Sequence, residues 1–166
     1  MVANRSRPPA TVIPTLIYED VGRAVEWLCG AFGFTERLRA TGPGGKTGHA
    51  QLTVGNGAIM LGSQRTGQGF ASPDRAEFRP PRPNEISHYI SVHVEDVDQH
   101  VQHAKHFGAR ILTPPADHPF GERQYTAEDL AGHRWTFSQS IADVAPEKWG
   151  AVQANRRKPE PNERAG

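Results

Sequence analysis

Apolar positions along the chain follow two different spacings, which predicts short strands alternating with helices. The run from Thr11 to Tyr18 is rich in β-branched and apolar residues and predicts a strand. After it, apolar residues recur every three or four positions, at Val21, Val25, Leu28 and Phe32. This spacing predicts an amphipathic helix with one buried face, with Asp20 as its N-cap and Gly33 as its stop.

Three more strands are predicted after this helix. Phe34 to Ala40 is the first, and a glycine-rich turn separates it from His49 to Val54, where polar and apolar residues alternate. Gly55-Asn56-Gly57 is a tight hairpin signal, and Ala58 to Leu61 forms the returning strand. The predicted order of this first block is therefore βαβββ.

A second block repeats the same order. Ile86 to Val94 predicts a strand, Asp96 or Asp98 an N-cap, and Gly108 a helix stop. The expected buried face of this helix consists of Val97, Val101, Ala104 and Phe107. Three strands follow: Ala109 to Pro114, Glu122 to Glu128, and Arg134 to Gln139, with turns at Pro114-Pro115 and Ala131-Gly132.

The two blocks form an internal repeat that defines the domain organisation. Glu19-Asp20-Val21 recurs as Glu95-Asp96-Val97, an offset of 76 residues. We predict one domain over 11–143, with module one at 11–64, a Pro- and Gly-rich linker at 65–85, and module two at 86–143. Polar residues predict a flexible N-terminal tail at 1–10 and a C-terminal tail at 144–166.

Charge and cysteine content narrow the choice of partners. Lysine and arginine total 19 against 18 acidic residues, which gives no electrostatic reason to expect nucleic acid or a membrane surface as a partner. A single cysteine, Cys29, excludes an intrachain disulfide and fits a reducing compartment. No apolar run has the length of a membrane span and no signal-peptide core is evident, so we expect a cytoplasmic protein.

The tandem repeat resembles the vicinal-oxygen-chelate superfamily of glyoxalases, bleomycin-resistance proteins and dioxygenases. The resemblance covers roughly Val12 to Ser140 and is sharpest at the closing turn Asp129-Leu-Ala-Gly-His-Arg-Trp135. It implies an α+β fold in which eight strands form a half-barrel around a pocket, with the helices outside. It also implies a homodimer, which light scattering would check. Members include metal-dependent enzymes and metal-free binding proteins, so the site has to decide the function.

Strand alternation predicts which side chains line the pocket, since successive residues point to opposite faces. In metal-dependent relatives the ligands stand at positions that match Ile13, Met60, Tyr89 and Thr136 here, and none of these side chains is a good ligand. A register error of one residue would bring in His88 without carboxylate partners. We therefore predict no metal ion and no cofactor.

The expected ligand-binding residues come from both modules. They are Ile13, Thr15, His49, Gln51, Met60, Tyr89, Ser91, His93 and Thr136. Arg123 is added as a possible partner of an anionic ligand, with a plain surface charge as the alternative. Tyr125 and Phe120 are candidate stacking surfaces near the pocket, whereas His100, His103 and His106 are expected on the solvated face of the second helix.

Two functions are consistent with this lining. The first is a metal-independent binding protein of the bleomycin-resistance type, which sequesters a small aromatic or antibiotic-like molecule. The alternative is an enzyme of the same fold. That enzyme would be either a metal-dependent lyase, isomerase or dioxygenase, or a metal-free acid/base catalyst using His49 or His93.

Overall fold

A computed structural model describes residues 4–64 and 78–152 of the chain. Most of the expected linker, residues 65–77, lies outside this part, as do 1–3 and 153–166 of the expected tails. The predicted α+β fold with two βαβββ modules is confirmed. Module one contains β1 (Thr15–Tyr18), α1 (Val21–Phe32), β2 (Thr35–Thr41), β3 (Thr47–Val54) and β4 (Gly57–Ser63). Module two contains β5 (Ile90–His93), α2 (Val97–His106), β6 (Arg110–Asp117), β7 (Glu122–Glu128) and β8 (Arg134–Ser140), followed by a 3₁₀ helix, Pro146–Trp149.

Each module has its own four-stranded sheet with the same topology. The strand order is β1-β4-β3-β2 in module one and β5-β8-β7-β6 in module two. The first strand of each module pairs in parallel with the last, and the remaining pairs are antiparallel. The described residues thus form two open, mixed sheets. Helices α1 and α2 cover one face of the sheets, and the opposite face of each, called here its open face, is covered by neither helix.

Both helix starts follow the predicted capping chemistry. The Asp20 side chain accepts a hydrogen bond from the Arg23 N–H, and Asp96, not Asp98, accepts one from the Gln99 N–H. The first helix stops at Gly33, whose φ of 72° lies in the left-handed region that favours glycine. Among the residues described, no helix is long and apolar enough to span a membrane.

Three local expectations are wrong. Phe107 was expected on the buried face of the second helix, but α2 ends at His106 and the Phe107 side chain is 42% exposed. Pro114 and Pro115 lie within β6, where register shifts interrupt the pairing with β7, so they form no turn. The strand expected from Thr11 begins only at Thr15, and Val12 before it is 84% exposed.

The two modules meet through their helices and an aromatic core. Phe32 of α1 packs on Trp135 and Phe137 of β8, with ring centroids 5.4 and 4.7 Å apart. Trp135 and Phe137 are fully buried. Helix α1 of module one therefore helps to shield two aromatic side chains of module two from water. Trp27 adds a hydrogen bond from its indole N–H to the Phe107 carbonyl at 2.9 Å.

The α2 histidines belong partly to this contact, which corrects the expected solvated face. Their spacing of three places His100 and His103 on the flank of α2 beside α1. The Tyr125 hydroxyl donates to His100 Nδ1 at 2.6 Å, and His100 Nε2–H donates to the Phe32 carbonyl at 3.5 Å. His103 Nε2–H donates to the Gly30 carbonyl at 2.7 Å. The two side chains therefore link the modules.

Acidification is expected to weaken the fold through His100. Burial lowers the pKa of His100 below its usual 6.5, and the neighbouring His103 lowers it further when charged, against a raising effect of the bond to Phe32. Below about pH 6.5 the unfolded chain therefore binds a proton that the folded chain does not, so stability falls with pH. One such proton gives a slope of at most about 1.4 kcal/mol per pH unit.

Chemical denaturation between pH 7.5 and 5 measures this slope. The His100→Gln variant, which cannot titrate, is expected to show a shallower slope than the parent protein. Gln102→Asn on the exposed side of the same helix removes no titratable group, serves as the control and should leave the slope unchanged. Equal slopes for the parent and the His100→Gln variant would contradict the assignment.

A buried carboxylate joins the closing turn of module two to module one. Asp129 is 6% exposed and accepts four hydrogen bonds. The Tyr18 hydroxyl (2.7 Å) and the Trp135 indole N–H (3.1 Å) donate to Oδ2. The backbone N–H groups of Ala131 (2.9 Å) and His133 (3.0 Å) donate to Oδ1. Burial, followed by the charge and hydrogen bond of Asp129, raises the pKa of Tyr18, so this phenol stays a donor.

Candidate functional site

The largest cavity described here lies on the open face of the module-two sheet. Its volume is about 650 Å³, and we call it the module-two cavity. Strands β5, β6, β7 and β8 supply its walls, together with the segment before β5 and the turn after β6. The residues that line it are Ile86, Tyr89, Ser91, Leu112, Thr113, Pro114, Ala116, His118, Gln124, Tyr125, Thr126, Arg134, Trp135 and Thr136.

Strand register brings the predicted residues of module two to this cavity. Ser91 of β5 lies opposite Thr136 of β8, and Thr136 lies opposite Thr126 of β7, so the three side chains share one face. Tyr89 lies just before β5 at the rim and is 65% exposed. The cavity floor is thus a row of short hydroxyl side chains beside an exposed phenol.

The chemistry of the lining is apolar and largely neutral. Arg134 is the one fixed cation among the lining residues that the structure describes, and its Nε lies 3.0 Å from a Glu128 carboxylate oxygen. His118 stacks on Phe120, with ring centroids 5.1 Å apart. The lining residues described include no carboxylate, so this cavity offers hydrogen bonds and apolar contact rather than carboxylate-based acid/base chemistry.

The positions that match the metal ligands of relatives hold poor ligands, and the structure separates them. Met60 lies on the open face of module one, Tyr89 and Thr136 border the module-two cavity, and Ile13 precedes β1. Within residues 4–64 and 78–152, no group of three or more His, Cys, Asp or Glu side chains is arranged to hold a metal ion. His88 lies beside Ser87, with 3.2 Å between Nδ1 and Oγ.

The predicted module-one residues lie on the open face of their own sheet. Thr15, Met60 and Gln51 are in register across β1, β4 and β3. His49 lies two residues before Gln51 on β3, on the same face. None of these four lines the module-two cavity. The structure therefore divides the predicted ligand-binding set between two sheet faces.

His93 does not line the module-two cavity; it lines an adjacent groove of about 410 Å³ between β5 and the β3–β4 hairpin, and Ser91 borders both. Its Nδ1 is 3.4 Å from Ser138 Oγ, and its Nε2 is 3.8 Å from a Glu122 carboxylate oxygen. This arrangement is the one contact between a predicted pocket histidine and a carboxylate in the described part of the chain.

Two other predicted residues point to the helix side of the module-two sheet. Arg123 forms ion pairs with Asp98 of α2 (3.0 Å) and Asp117 of β6 (2.6 Å), which favours the surface-charge alternative. Tyr125 borders the module-two cavity, but its side chain is fully buried and donates to His100, so its ring packs in the core. Both follow from the alternation of β7, in which Gln124 and Thr126 take the open face.

Several cavity residues were missing from the sequence prediction. Gln124 and Thr126 could have been found, because the alternation that placed Thr136 applies equally to β7. Leu112, Pro114 and Ala116 were missed because the Pro114-Pro115 pair indicated a turn where β6 in fact continues. Their signal, a proline pair inside an edge strand, is ambiguous in sequence alone.

Comparison with known proteins agrees with this architecture of paired βαβββ modules. A family model for the Glyoxalase/Bleomycin resistance protein/Dioxygenase superfamily matches residues 11–137. The chain belongs to this superfamily. It is 28% identical over 148 residues to the uncharacterized protein Mb0911c of Mycobacterium bovis, covering 86% of this chain and 91% of that protein.

Solved structures show the same fold. The crystal structure of TioX from Micromonospora sp. ML1 superposes with a TM-score of 0.62 at 33% sequence identity, covering 80% of this chain and 99% of that one. The fosfomycin resistance protein FosX from Listeria monocytogenes superposes with a TM-score of 0.55 at 15% identity, covering 84% of this chain and 95% of that one. At that identity the second likeness shows the fold alone.

Proposed function

We propose that this protein binds a small, largely apolar molecule in the module-two cavity without the help of a metal ion. The cavity itself carries the proposal: its volume of about 650 Å³ falls in the range of small-molecule sites, and its lining combines apolar side chains with neutral hydrogen-bonding groups. The residues at the superfamily's metal positions support a metal-free site, because thioether, phenol and hydroxyl groups hold divalent ions poorly.

An aromatic or antibiotic-like ligand fits this lining best. Tyr89 at the rim offers a ring face for stacking, and Ser91, Thr126 and Thr136 offer hydrogen bonds along the floor. The superfamily includes bleomycin resistance proteins, which supports sequestration as the role of such binding. Specificity would then come from which hydroxyl groups the ligand can satisfy.

Analysis of protein purified without chelator tests this function. Native mass spectrometry is expected to detect an organic molecule bound to the folded chain, and elemental analysis is expected to give divalent metal far below one equivalent. A second aliquot, dialysed against Zn²⁺ and Mn²⁺ and then desalted, serves as the matched control and should retain neither ion.

Near-stoichiometric metal in the first aliquot would contradict the proposal. Chemical conversion of the bound molecule by the protein would also contradict it and would favour the enzymatic alternative. In that case His93 is the first residue to substitute, because Ser138 and Glu122 already flank its ring.

A further inference from the structure

On the open face of module one, the described partners of the Arg37 guanidinium are two neutral oxygen atoms. Arg37 lies at a bulge in β2, where the register with β3 shifts between Glu36 and Leu38. A bulge re-aims a side chain, and here the guanidinium reaches Gln51 on the open face. Arg37 Nη1–H donates to Gln51 Oε1 at 2.5 Å, and Arg37 Nη2–H donates to the Arg5 carbonyl at 2.6 Å.

The N-terminal segment covers this pair. Gln51 Nε2–H donates to the Ser6 carbonyl at 3.1 Å, and Gln51 is only 4% exposed. Pro8 is buried as well, so residues 4–8, expected as part of a flexible tail, lie against the sheet. The backbone carbonyls of Arg5 and Ser6 therefore accept hydrogen bonds from two neighbouring side-chain donors, Arg37 Nη2–H and Gln51 Nε2–H.

Among the residues that the structure describes, the positive charge of Arg37 is not balanced by a nearby carboxylate. In the described part of the chain, Arg37 has no carboxylate in ion-pair contact, unlike Arg39, which pairs with Glu36 on the helix side of the same strand. The other open-face residues next to it, Leu38, His49 and Met60, add no negative charge. A partly buried guanidinium binds a carboxylate more strongly than a neutral carbonyl, and it can do so through two parallel hydrogen bonds.

We propose that Arg37 and Gln51 form a binding site for the carboxylate group of a small molecule, and that the Arg5 and Ser6 carbonyls occupy this site in the free chain. The ligand carboxylate accepts from Arg37 and from the Gln51 amide, and residues 4–8 leave the sheet. The segment is suited to leave because four of its five residues, 4–7, are exposed. This site lies on module one and goes beyond the function proposed for the module-two cavity.

Benzoate and benzamide are the probes, since they share a ring and differ in charge. Both are titrated by NMR into the full chain and into a chain that begins at Pro9, after circular dichroism and the urea midpoint have shown that the shortened chain folds like the full one. Without its competitor the shortened chain is expected to bind benzoate about tenfold more tightly than the full chain does, as the loss of two modest hydrogen bonds implies. The Gln51 side-chain amide signals should report the binding, and benzamide should bind at least about tenfold more weakly.

Two arginine substitutions in the shortened chain test the assignment. Arg37→Gln is expected to reduce benzoate binding at least about tenfold, whereas Arg23→Gln, on the exposed side of α1, should leave it unchanged. Arg37→Lys keeps the charge without the forked geometry and should bind with an intermediate affinity, which preserves the test if the glutamine variant does not fold.

Three results would overturn the site: equal benzoate affinity of the full and shortened chains, equal affinity for benzoate and benzamide, or no benzoate binding by the shortened chain. The function proposed for module two is measured independently, because a neutral apolar probe in the module-two cavity should bind the Arg37→Gln variant as it binds the parent protein.

Discussion

Replacing Asp129 with alanine is expected to lower the free energy of unfolding by about 4 kcal/mol. The carboxylate is the acceptor for four hydrogen bonds, and two of the donors, the Tyr18 hydroxyl and the Trp135 indole N–H, are buried where water cannot replace it. An unpaired buried donor costs about 1–3 kcal/mol, so these two groups account for most of the expected loss. Urea denaturation followed by tryptophan fluorescence and circular dichroism measures the change.

Two further variants serve as references for the stability loss of Asp129→Ala. Asp129→Asn keeps an oxygen for the Ala131 and His133 N–H groups but turns an amide NH₂ toward the indole N–H, so it should lose an intermediate amount. Asp143→Ala removes an exposed carboxylate a short distance along the chain and should change the unfolding free energy by less than about 0.5 kcal/mol. A similarly small loss for Asp129→Ala would contradict the role assigned to this residue.

The importance of Asp129 illustrates what the sequence could and could not reveal. The closing turn from Asp129 to Trp135 was recognisable as a motif, and its two backbone hydrogen bonds to Asp129 are local. The bond to Tyr18 joins residues 111 positions apart, so no local pattern could indicate it. The motif therefore predicted the fold, whereas its function as a link between the modules appeared only in three dimensions.

The parts of the fold that were predicted correctly depend on local chemistry. These parts are the helix caps at Asp20 and Asp96, the helix stop at Gly33 and the spacing of the apolar residues. Each depends only on residues a few positions away in the sequence. The exact ends of strands could not be predicted in this way, because they depend on which residues pair with a neighbouring strand. The expected strand from Ile86 to Val94 shortens to β5, Ile90–His93, because only these four residues pair with β8.

The candidate site was predicted in part for the same reason. Strand alternation placed Tyr89, Ser91 and Thr136 at one cavity, since the period of a strand is local information. It could not show that the module-one residues lie on a separate sheet face, because the relation between the modules depends on helix packing. Nor could it show that Arg37 reaches that face, because a bulge changes the phase of the strand.

Filling the module-two cavity is expected to abolish most of its binding capacity. Ser91 is exposed at the middle of β5 and faces the cavity opposite Thr136, so the indole of a Ser91→Trp variant would occupy the floor. Burying one aromatic ring removes roughly 150–250 Å² from water, worth about 4–6 kcal/mol at roughly 25 cal/mol per Å². Losing half of that contact lowers the affinity for the neutral fluorescent probe N-phenyl-1-naphthylamine about hundredfold.

A fluorescence titration of the probe measures this loss of affinity, and a variant with a tryptophan outside the cavity is the matched control. Gln102→Trp adds the same indole on the exposed side of α2 and should leave probe affinity within about twofold of the parent protein, since it touches no cavity residue. Ser91 is at an exposed position of an edge strand, so its variant should keep the parent's denaturation midpoint and the loss of binding can be assigned to occlusion. Unchanged probe affinity of a folded Ser91→Trp variant would mean that apolar molecules bind at another surface of this protein.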